Sequence, residues 1–496
     1  MMIKKINYIR LVCIKNFSGY KATEAKMKEA KEKFGVTFEE YFKNDLYNMT
    51  PTQQAVEARR IIIRRDNRNK RLDKISAATG LTHDEIRAEI KAINKKSSVK
   101  MSIVRYAKYE VYRFEGEALD EFLGLFVRRD RVKEELLADF VKIDKGILSY
   151  EDILEKLNLF YEIIEKMMSE SLISELGELI LPSYPEIAAD SEKRRKVAVD
   201  MEATRVLLPF SLEEYVCFHF AGKSIAEKRT FISDKERLEI LNKLNNPKKF
   251  DLLDNKAESY RRLAKYYGRE LLLISSQKDF GAFEKFCADK NRIVVKPPCD
   301  TMGRGVRAID LPEKSALKEL FDSLLAEFDN VLVEELITAH ESIRRLNPDS
   351  VNTVRVITYF DGRRSLLHDS FIKVGQKGSF VDNGGAGGIL VHVDPKTGML
   401  DSEGCDENGV IYSVHPHTGV VFRGYQLPNW EKAIELAHEL SSKISGLKYI
   451  GWDFTLNAEG EWIIVEGNAK TQFYGQQAPR DIGVREDFLR TIGYKK

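Results

Sequence analysis

Hydrophobic and polar positions alternate along this chain in two different rhythms. Up to about residue 245, apolar residues recur at three- and four-residue steps with few glycines, which predicts helix after helix. In YEDILEKLNLFYEIIEKMM (150–168) that step places Ile153, Leu154, Leu157, Phe160, Ile163, Ile164 and Met167 on one stripe. LTHDEIRAEIKAI opens with Thr82 as N-cap and Glu85 three residues on, the spacing of a reciprocal capping box. LPSYPE (181–186), with its two prolines, predicts a break between helical groups. From about residue 290 short β-rich runs take over: RIVVKP, NVLVEELI, VNTVRVITYF, GILVHV and WIIVEGN alternate with Gly, Asn, Asp and Pro turns. Helices such as WEKAIELAHELSSKI (430–444) persist between them, so this half reads as α+β.

Two features of the helical half stand out. TFEEY at Thr37–Tyr41 recurs as SLEEY at Ser211–Tyr215, and YEVYRFEG (109–116) is echoed by YVCFHFAG (215–222). A duplicated helical hairpin explains this, and so does chance between amphipathic helices. RRIIIRRDNRNKRLDK (59–74) carries eight basic and two acidic residues, which suits either a phosphate-rich partner or a solvated helix face.

Composition narrows the classes. Across 496 residues the hydrophobic share of 43% is enough to fill a large core, so neither disorder nor a disulfide scaffold is needed. The net charge of +2 gives no global field toward nucleic acid or anionic lipid. Cys13, Cys217, Cys287, Cys299 and Cys405 are far apart and form no C-x-x-C, which argues against a zinc site. Lys4, Lys5, Arg10 and Lys15 interrupt the N-terminal apolar residues, and no 18-residue apolar run exists, so the expectation is a cytoplasmic protein without a membrane span.

The chemistry gathers in the second half. YIGWDFTLNAEGEWIIVEGNAKTQF (449–473) reads as a hairpin turning at Ala458–Glu461, with Asn457 facing Trp462, Thr455 facing Ile464 and Asp453 facing Glu466. Asn468 joins that face if the strand continues, because alternate residues share a face. Directly opposed carboxylates repel unless a cation lies between them. Mg²⁺ prefers oxygen ligands and keeps phosphate oxygens as partners, so Asp453, Glu466 and Asn468 suit it; the plainer alternative is an exposed hairpin end with incidental acids. RIVVKPPCDTMGRGVR (292–307) sets Lys296 at a strand end before Gly303 and Gly305, which suits a phosphate grip or an ordinary turn. Lys256 opens a helix in DLLDNKAESYRRLAKYYG, and VLVEELITAHESI runs from a strand into Glu334, Glu335, Ile337 and Glu341. VGQKGSFVDNGGAGGI (374–389) reads as a mobile loop over a cleft, with Asp382 and Asn383 as its polar contacts to substrate, or as a loose connection. The histidines are better explained by structural roles than as general bases.

In this order, Asp254 and Lys256, Lys296, the Gly-rich loop, the acidic VEELI segment, Arg355 in VNTVRV and the D…E-x-N trio resemble the ATP-grasp superfamily over about residues 250–475. NPDSVNTVRVITY, FVDNGGAGG, HPHTG and GWDFTLNAEGEWIIVEGN are most similar to its sugar-transfer-associated group. The resemblance implies an ATP-grasp domain over 250–496, after a helical domain over 1–180 and a helical linker or second helical unit over 181–249. It implies ATP held by Lys256, Lys296, Gly303 and Gly305, adenine at Glu334, Glu335 and Ile337, and ribose at Glu341. It further implies Mg²⁺, two ions, on Asp453, Glu466 and Asn468, with Arg355 and Lys296 as the catalytic cations. The implied reaction joins a carboxylate to an amine through an acyl phosphate, in polysaccharide or envelope-precursor metabolism. A phosphotransferase with the same cleft and a nucleotide-regulated scaffold, whose helical half binds a protein, are the alternatives. The family's usual α/β domain before the nucleotide domain is replaced here by helices, which leaves the substrate open.

Overall fold

A computed structural model of the chain describes residues 20–49, 51–298, 305–328 and 330–493. Its backbone separates into two compact units, Met1–Leu176 and Gly177–Lys496, with residues 181–249 in the second. No helix among the described residues is long and apolar enough to cross a membrane.

The first unit is helical. Helix Leu154–Met167 buries Leu157, Phe160, Ile163, Ile164 and Met167 as its periodicity requires, but Leu154 lies outside that stripe and is exposed. Thr82 and Glu85 form the expected capping box on helix His83–Lys96. The internal echo proves to be threefold. Thr37, Ser102 and Ser211 each cap a six-residue helix (Phe38–Lys43, Ile103–Lys108, Leu212–Cys217) by accepting a backbone N–H three residues on. Four residues after each cap stands a buried tyrosine (Tyr41, Tyr106, Tyr215), eight after it a left-handed residue (Asp45, Glu110, His219), and nine after it a buried apolar residue (Leu46, Val111, Phe220). The correct partner of Tyr215 is therefore Tyr106, three residues before the Tyr109 that the sequence echo aligns with it. Two copies lie in the first unit and the third in the second.

The second unit contains two antiparallel sheets. The smaller has the order β1-β4-β2-β3, with β1 Leu271–Ile274, β2 Arg292–Lys296, β3 Arg307–Asp310 and β4 Val331–Glu335. The strand grammar thus begins before residue 290, because LLLI at 271–274 lacks the alternation and turn signals that mark a strand. On this sheet Ile293, Val295, Val331 and Val333 pack with Phe283, Phe321 and Leu324 of two helices. Strand alternation then turns Val294, Lys296 and Glu334 to the opposite face.

The larger sheet has the order β11-β10-β5-β6-β7-β8-β9, with β5 Val354–Phe360, β6 Ser365–Val374, β7 Ile389–Val393, β8 Leu400–Cys405, β9 Ile411–Tyr412, β10 Tyr449–Leu456 and β11 Trp462–Asn468. Every residue of β10 is buried, which explains its nearly unbroken apolar run. Val354, Val356, Ile450, Trp452 and Phe454 pack in one core with Ala433, Ala437 and Leu440 of helix Trp430–Ser441. The alternate residues Arg355 and Asp453 are opposed on the other face.

Candidate active site

The hairpin β10–β11 brings the expected trio together by a route the sequence does not reveal. Near the turn Leu456 faces Trp462 and Thr455 faces Ile463, one residue out of the predicted register. The turn closes at Asn457 instead: its N–H donates to the Glu461 carbonyl at 2.9 Å, and its Oδ1 accepts from the Glu461 N–H at 2.7 Å. A bulge after Phe454–Ile464 then adds one residue, and Asp453 faces Glu466 after all. A bulge of this kind inserts one residue on one strand and shifts everything beyond it. Asn468 completes the group, its amide 3.3 Å from both Asp453 Oδ2 and Glu466 Oε1.

Two buried cations hold Asp453. Arg355 on β5 engages it bidentately, with Nη2 donating to Oδ2 at 2.7 Å, and Lys373 on β6 donates to Oδ2 at 2.9 Å. Burial works to raise the Asp453 carboxyl, but Arg355 and Lys373 outweigh it and hold it well below the ordinary range. Burial likewise opposes the charge on Arg355, and Asp453 more than offsets that, leaving the guanidinium above its usual value. Arg355 Nη1 also donates to Thr471 Oγ1 at 3.2 Å. The approach depends on Gly451, where an added Cβ would sit 2.4 Å from Thr471 Oγ1 and 2.7 Å from Arg355 Cδ.

The smaller sheet supplies the facing wall. Lys296 and Glu334, neighbours across β2 and β4, form a buried ion pair, and Arg269 donates to Glu334 Oε2 from Nε at 3.2 Å and Nη2 at 3.1 Å. Burial pulls the Lys296 ammonium below its ordinary value despite Glu334. For Glu334, burial pushes upward, but Lys296 and Arg269 prevail and the carboxyl lies low. Arg269 Nη1 also donates to the Ile464 carbonyl of β11 at 2.7 Å, tying the two sheets. Lys256 begins helix Lys256–Leu263, pinned by its N–H to the Pro298 carbonyl at 2.9 Å, with Nζ 3.8 Å from Glu466 Oε2.

Lys256, Lys296, Glu334, Glu335, Ile337, Asp382, Asn383, Asp453 and Glu466 line one cleft between the sheets, with Arg269 and Lys373 beside them. Its open space is about 130 Å³, below the roughly 300–1,000 Å³ usual for small-molecule sites. Glu335 is partly engaged elsewhere, accepting the Glu270 N–H at 2.6 Å and pairing with Lys290 at 3.1 Å. Asp382 is buried and accepts the Thr353 N–H at 2.5 Å and hydroxyl at 2.7 Å; burial pushes its carboxyl up against the pull of Lys373, 4.0 Å away. Glu341 is an exposed first residue of helix Glu341–Arg344 and is not among the cleft-lining residues. Gly305, at φ +70°, turns the chain into β3 against Pro297. Gly303 lies outside the described residues, as does Cys299. His415 is structural: burial lowers its pKa, and Nε2 bonds the Gly375 carbonyl at 3.0 Å at the base of the 374–389 loop.

Sequence reasoning missed Arg269 and Lys373. For Lys373 a signal exists: it is the one charge in the otherwise apolar FIKV, two residues from Phe371, which faces Arg355 across β5–β6. Arg269 stands just before an unrecognised strand and has no such mark.

Two antiparallel sheets thus close opposed buried charges between them. The chain belongs to the sugar-transfer associated ATP-grasp family, whose model matches residues 235–493. Similar solved structures include a D-alanyl-alanine synthetase A from Vibrio cholerae (12% identity, 50% of this chain and 67% of that one, TM-score 0.34). The ATP-grasp ligase PsnB with a minimal precursor (14%, 64% and 74%, TM-score 0.31) is another, as is N5-carboxyaminoimidazole synthase from Aspergillus clavatus (10%, 54% and 59%, TM-score 0.33). These likenesses are slight, and the assignment stands on the family match. No curated protein matches the sequence.

Proposed function

We propose that the protein joins a carboxylate to an amine at the expense of ATP, through an acyl phosphate, in polysaccharide or cell-envelope precursor metabolism. The observation that carries the reading is that, in an ATP-grasp family member, Lys256, Lys296, Lys373, Asp453 and Glu466 line one cleft, with Arg355 on Asp453 and the Asn468 amide against both carboxylates. The donor set fits Mg²⁺: two carboxylates and an amide, all hard oxygen ligands once the Asn468 amide turns its oxygen inward. These three residues would hold the metal, two ions in the family's pattern, and bound there it would neutralise phosphate charge.

The chain's own residues do the rest. Lys256 and Lys296 bind the ATP phosphates, and the Glu335–Ile337 backbone takes the adenine edge. Arg355, released from Asp453, faces the γ-phosphate and the charge that spreads over the transferred group. The substrate carboxylate attacks that phosphorus, ADP leaves, and the amine displaces phosphate. Phe380–Asn383, already on the cleft wall, exclude water from the acyl phosphate.

The test is to follow ATP, Mg²⁺ and a deproteinised metabolite extract by mass spectrometry, with wild type and Asp453→Asn in parallel. ADP, free phosphate and a condensed product from wild type alone support the ligase. A phosphorylated product without free phosphate would replace it with a phosphotransferase.

A further inference from the structure

The third copy of the repeated helix-and-turn element grips a piece of main chain. Cys217 Sγ donates to the Asp406 carbonyl at 3.9 Å, and His219 Nε2 bonds the Gly409 carbonyl at 2.7 Å. Gly409 is so close that an added Cβ would sit 2.7 Å from the Val216 carbonyl oxygen. What the element holds is the acidic turn Asp406–Glu407–Asn408–Gly409, which joins β8 to β9.

In the first copy, counting from the caps, Lys43 and Asn44 stand where the third has Cys217 and Phe218. Both line a groove of about 860 Å³ within the first unit. Helix Pro51–Thr79 forms another wall and contributes Arg64, Arg65, Arg68 and Arg71. At about 1.5 Å rise per residue, Arg64, Arg68 and Arg71 make a row roughly 10 Å long on one face. The five cations of the lining outnumber its two acids, Glu39 and Glu40, so the groove favours an anion. Both acids are already engaged, Glu39 with Lys43 at 2.5 Å and Glu40 with Arg65 at 3.5 Å, while Arg64 pairs with Glu57. Arg68 and Arg71 pair with no carboxylate among the described residues, although the latter is half-buried.

We propose that this groove binds an acidic peptide segment of a partner protein, its carboxylates on Arg68 and Arg71. The third copy holds its segment by the main-chain carbonyls, through Cys217 and His219; in the first copy Lys43 and Asp45 stand at those positions, so the charge of the groove carries the assignment here. Arg68 and Arg71, three positions apart, stand about 5–6 Å from each other on one helix face, within side-chain reach of alternate residues of an extended peptide, about 6.7 Å apart. Nucleic acid is the less favoured ligand, because a net charge of +2 gives the chain no broad field to collect a polyanion. This surface lies wholly in the first unit and does not depend on the ligase reading.

The test is fluorescence anisotropy of a fluorescein-labelled Glu-Ser repeat peptide titrated with the full-length protein. Saturable binding is expected, weakening as salt rises because the Debye length falls from about 10 Å at 0.1 M to 3 Å at 1 M. A Gln-Ser repeat should not bind. The Arg68→Ala/Arg71→Ala double variant should lose about tenfold or more in affinity, and Arg68→Lys/Arg71→Lys should recover part of it. The helical circular dichroism and the melting of the double variant should match wild type, which shows that the first unit has folded. No saturation by the acidic peptide, or equal affinity of the double variant, would overturn the proposal. Tighter binding of a single-stranded oligonucleotide of equal charge would reassign the groove to nucleic acid.

Discussion

Charge balance around single side chains governs the cleft. Glu334 is a buried carboxylate held low by Lys296 and Arg269 against the push of burial. A carboxyl depressed in the fold stabilises it fully above its unfolded pKa, about 4.3, and that stability is lost as pH falls through the lower folded value. Wild type should therefore exceed Glu334→Gln in thermal stability by a constant margin above about pH 5, with the margin shrinking in more acid solution. Removing one member of a buried pair typically costs about 3–5 kcal/mol, and melts across pH would show a flat difference if Glu334 were not held in this way. Arg355 makes the second case. If it faces the transferred phosphoryl group, Arg355→Ala should lower ATP turnover by about 10²–10³ and Arg355→Lys by less; a loss shared equally by thermal stability and turnover would make Arg355 merely structural. At this scale the sequence was a good guide wherever a residue's chemistry depends on strand alternation: Asp453, Glu466, Asn468, Lys296 and Lys256 meet as the motifs imply. It was a poor guide where a charge serves another buried charge, as with Arg269.

Among the elements, the β10–β11 hairpin shows why a correct pairing can come from an incorrect register. The turn starts one residue away from the predicted place, and the bulge beyond Ile464 restores the count. Neither feature has a sequence signature as firm as the alternation it interrupts. Strands of apolar, β-branched residues such as β2, β4, β5, β7 and β11 were legible for the same reason that β1 and β9, four and two residues long, were not. Strand β10 must also let Arg355 cross its face, and Gly451 leaves the room. Gly451→Ala should cost about 1–3 kcal/mol through overpacking and should also depress ATP turnover, since the methyl group meets Arg355 Cδ as well as Thr471. Crystallographic displacement of the guanidinium from Asp453 would locate the cause. Full activity in a variant with unchanged melting would remove Gly451 from the account.

Across the whole molecule, all the described cleft residues lie in the second unit, Gly177–Lys496, and the family match begins at residue 235. A chain starting at Gly177 should therefore fold cooperatively and bind ATP within about tenfold of the full protein, a difference of 1.4 kcal/mol. Cutting instead at residue 250 removes contacts on which the large sheet depends. Asn245 donates to the Tyr449 and Ala469 carbonyls at 2.8 and 2.7 Å, and Arg237 donates to the Thr471 carbonyl at 2.9 Å. A folded, ATP-binding product from the shorter chain alone would contradict this division. The threefold repeat was half visible in sequence, because its caps and tyrosines recur while the left-handed position accepts Asp, Glu and His alike.

The central claim is that the Asp453–Glu466–Asn468 cluster and its cations form a magnesium-dependent ATP site. Titration calorimetry of wild type and Asp453→Asn with ATP, with and without Mg²⁺, addresses it directly. The account predicts that wild type binds ATP more tightly when Mg²⁺ is present and that Asp453→Asn loses this dependence while keeping its fold. Absence of ATP binding by wild type, or an equal response to Mg²⁺ in the two proteins, would contradict it.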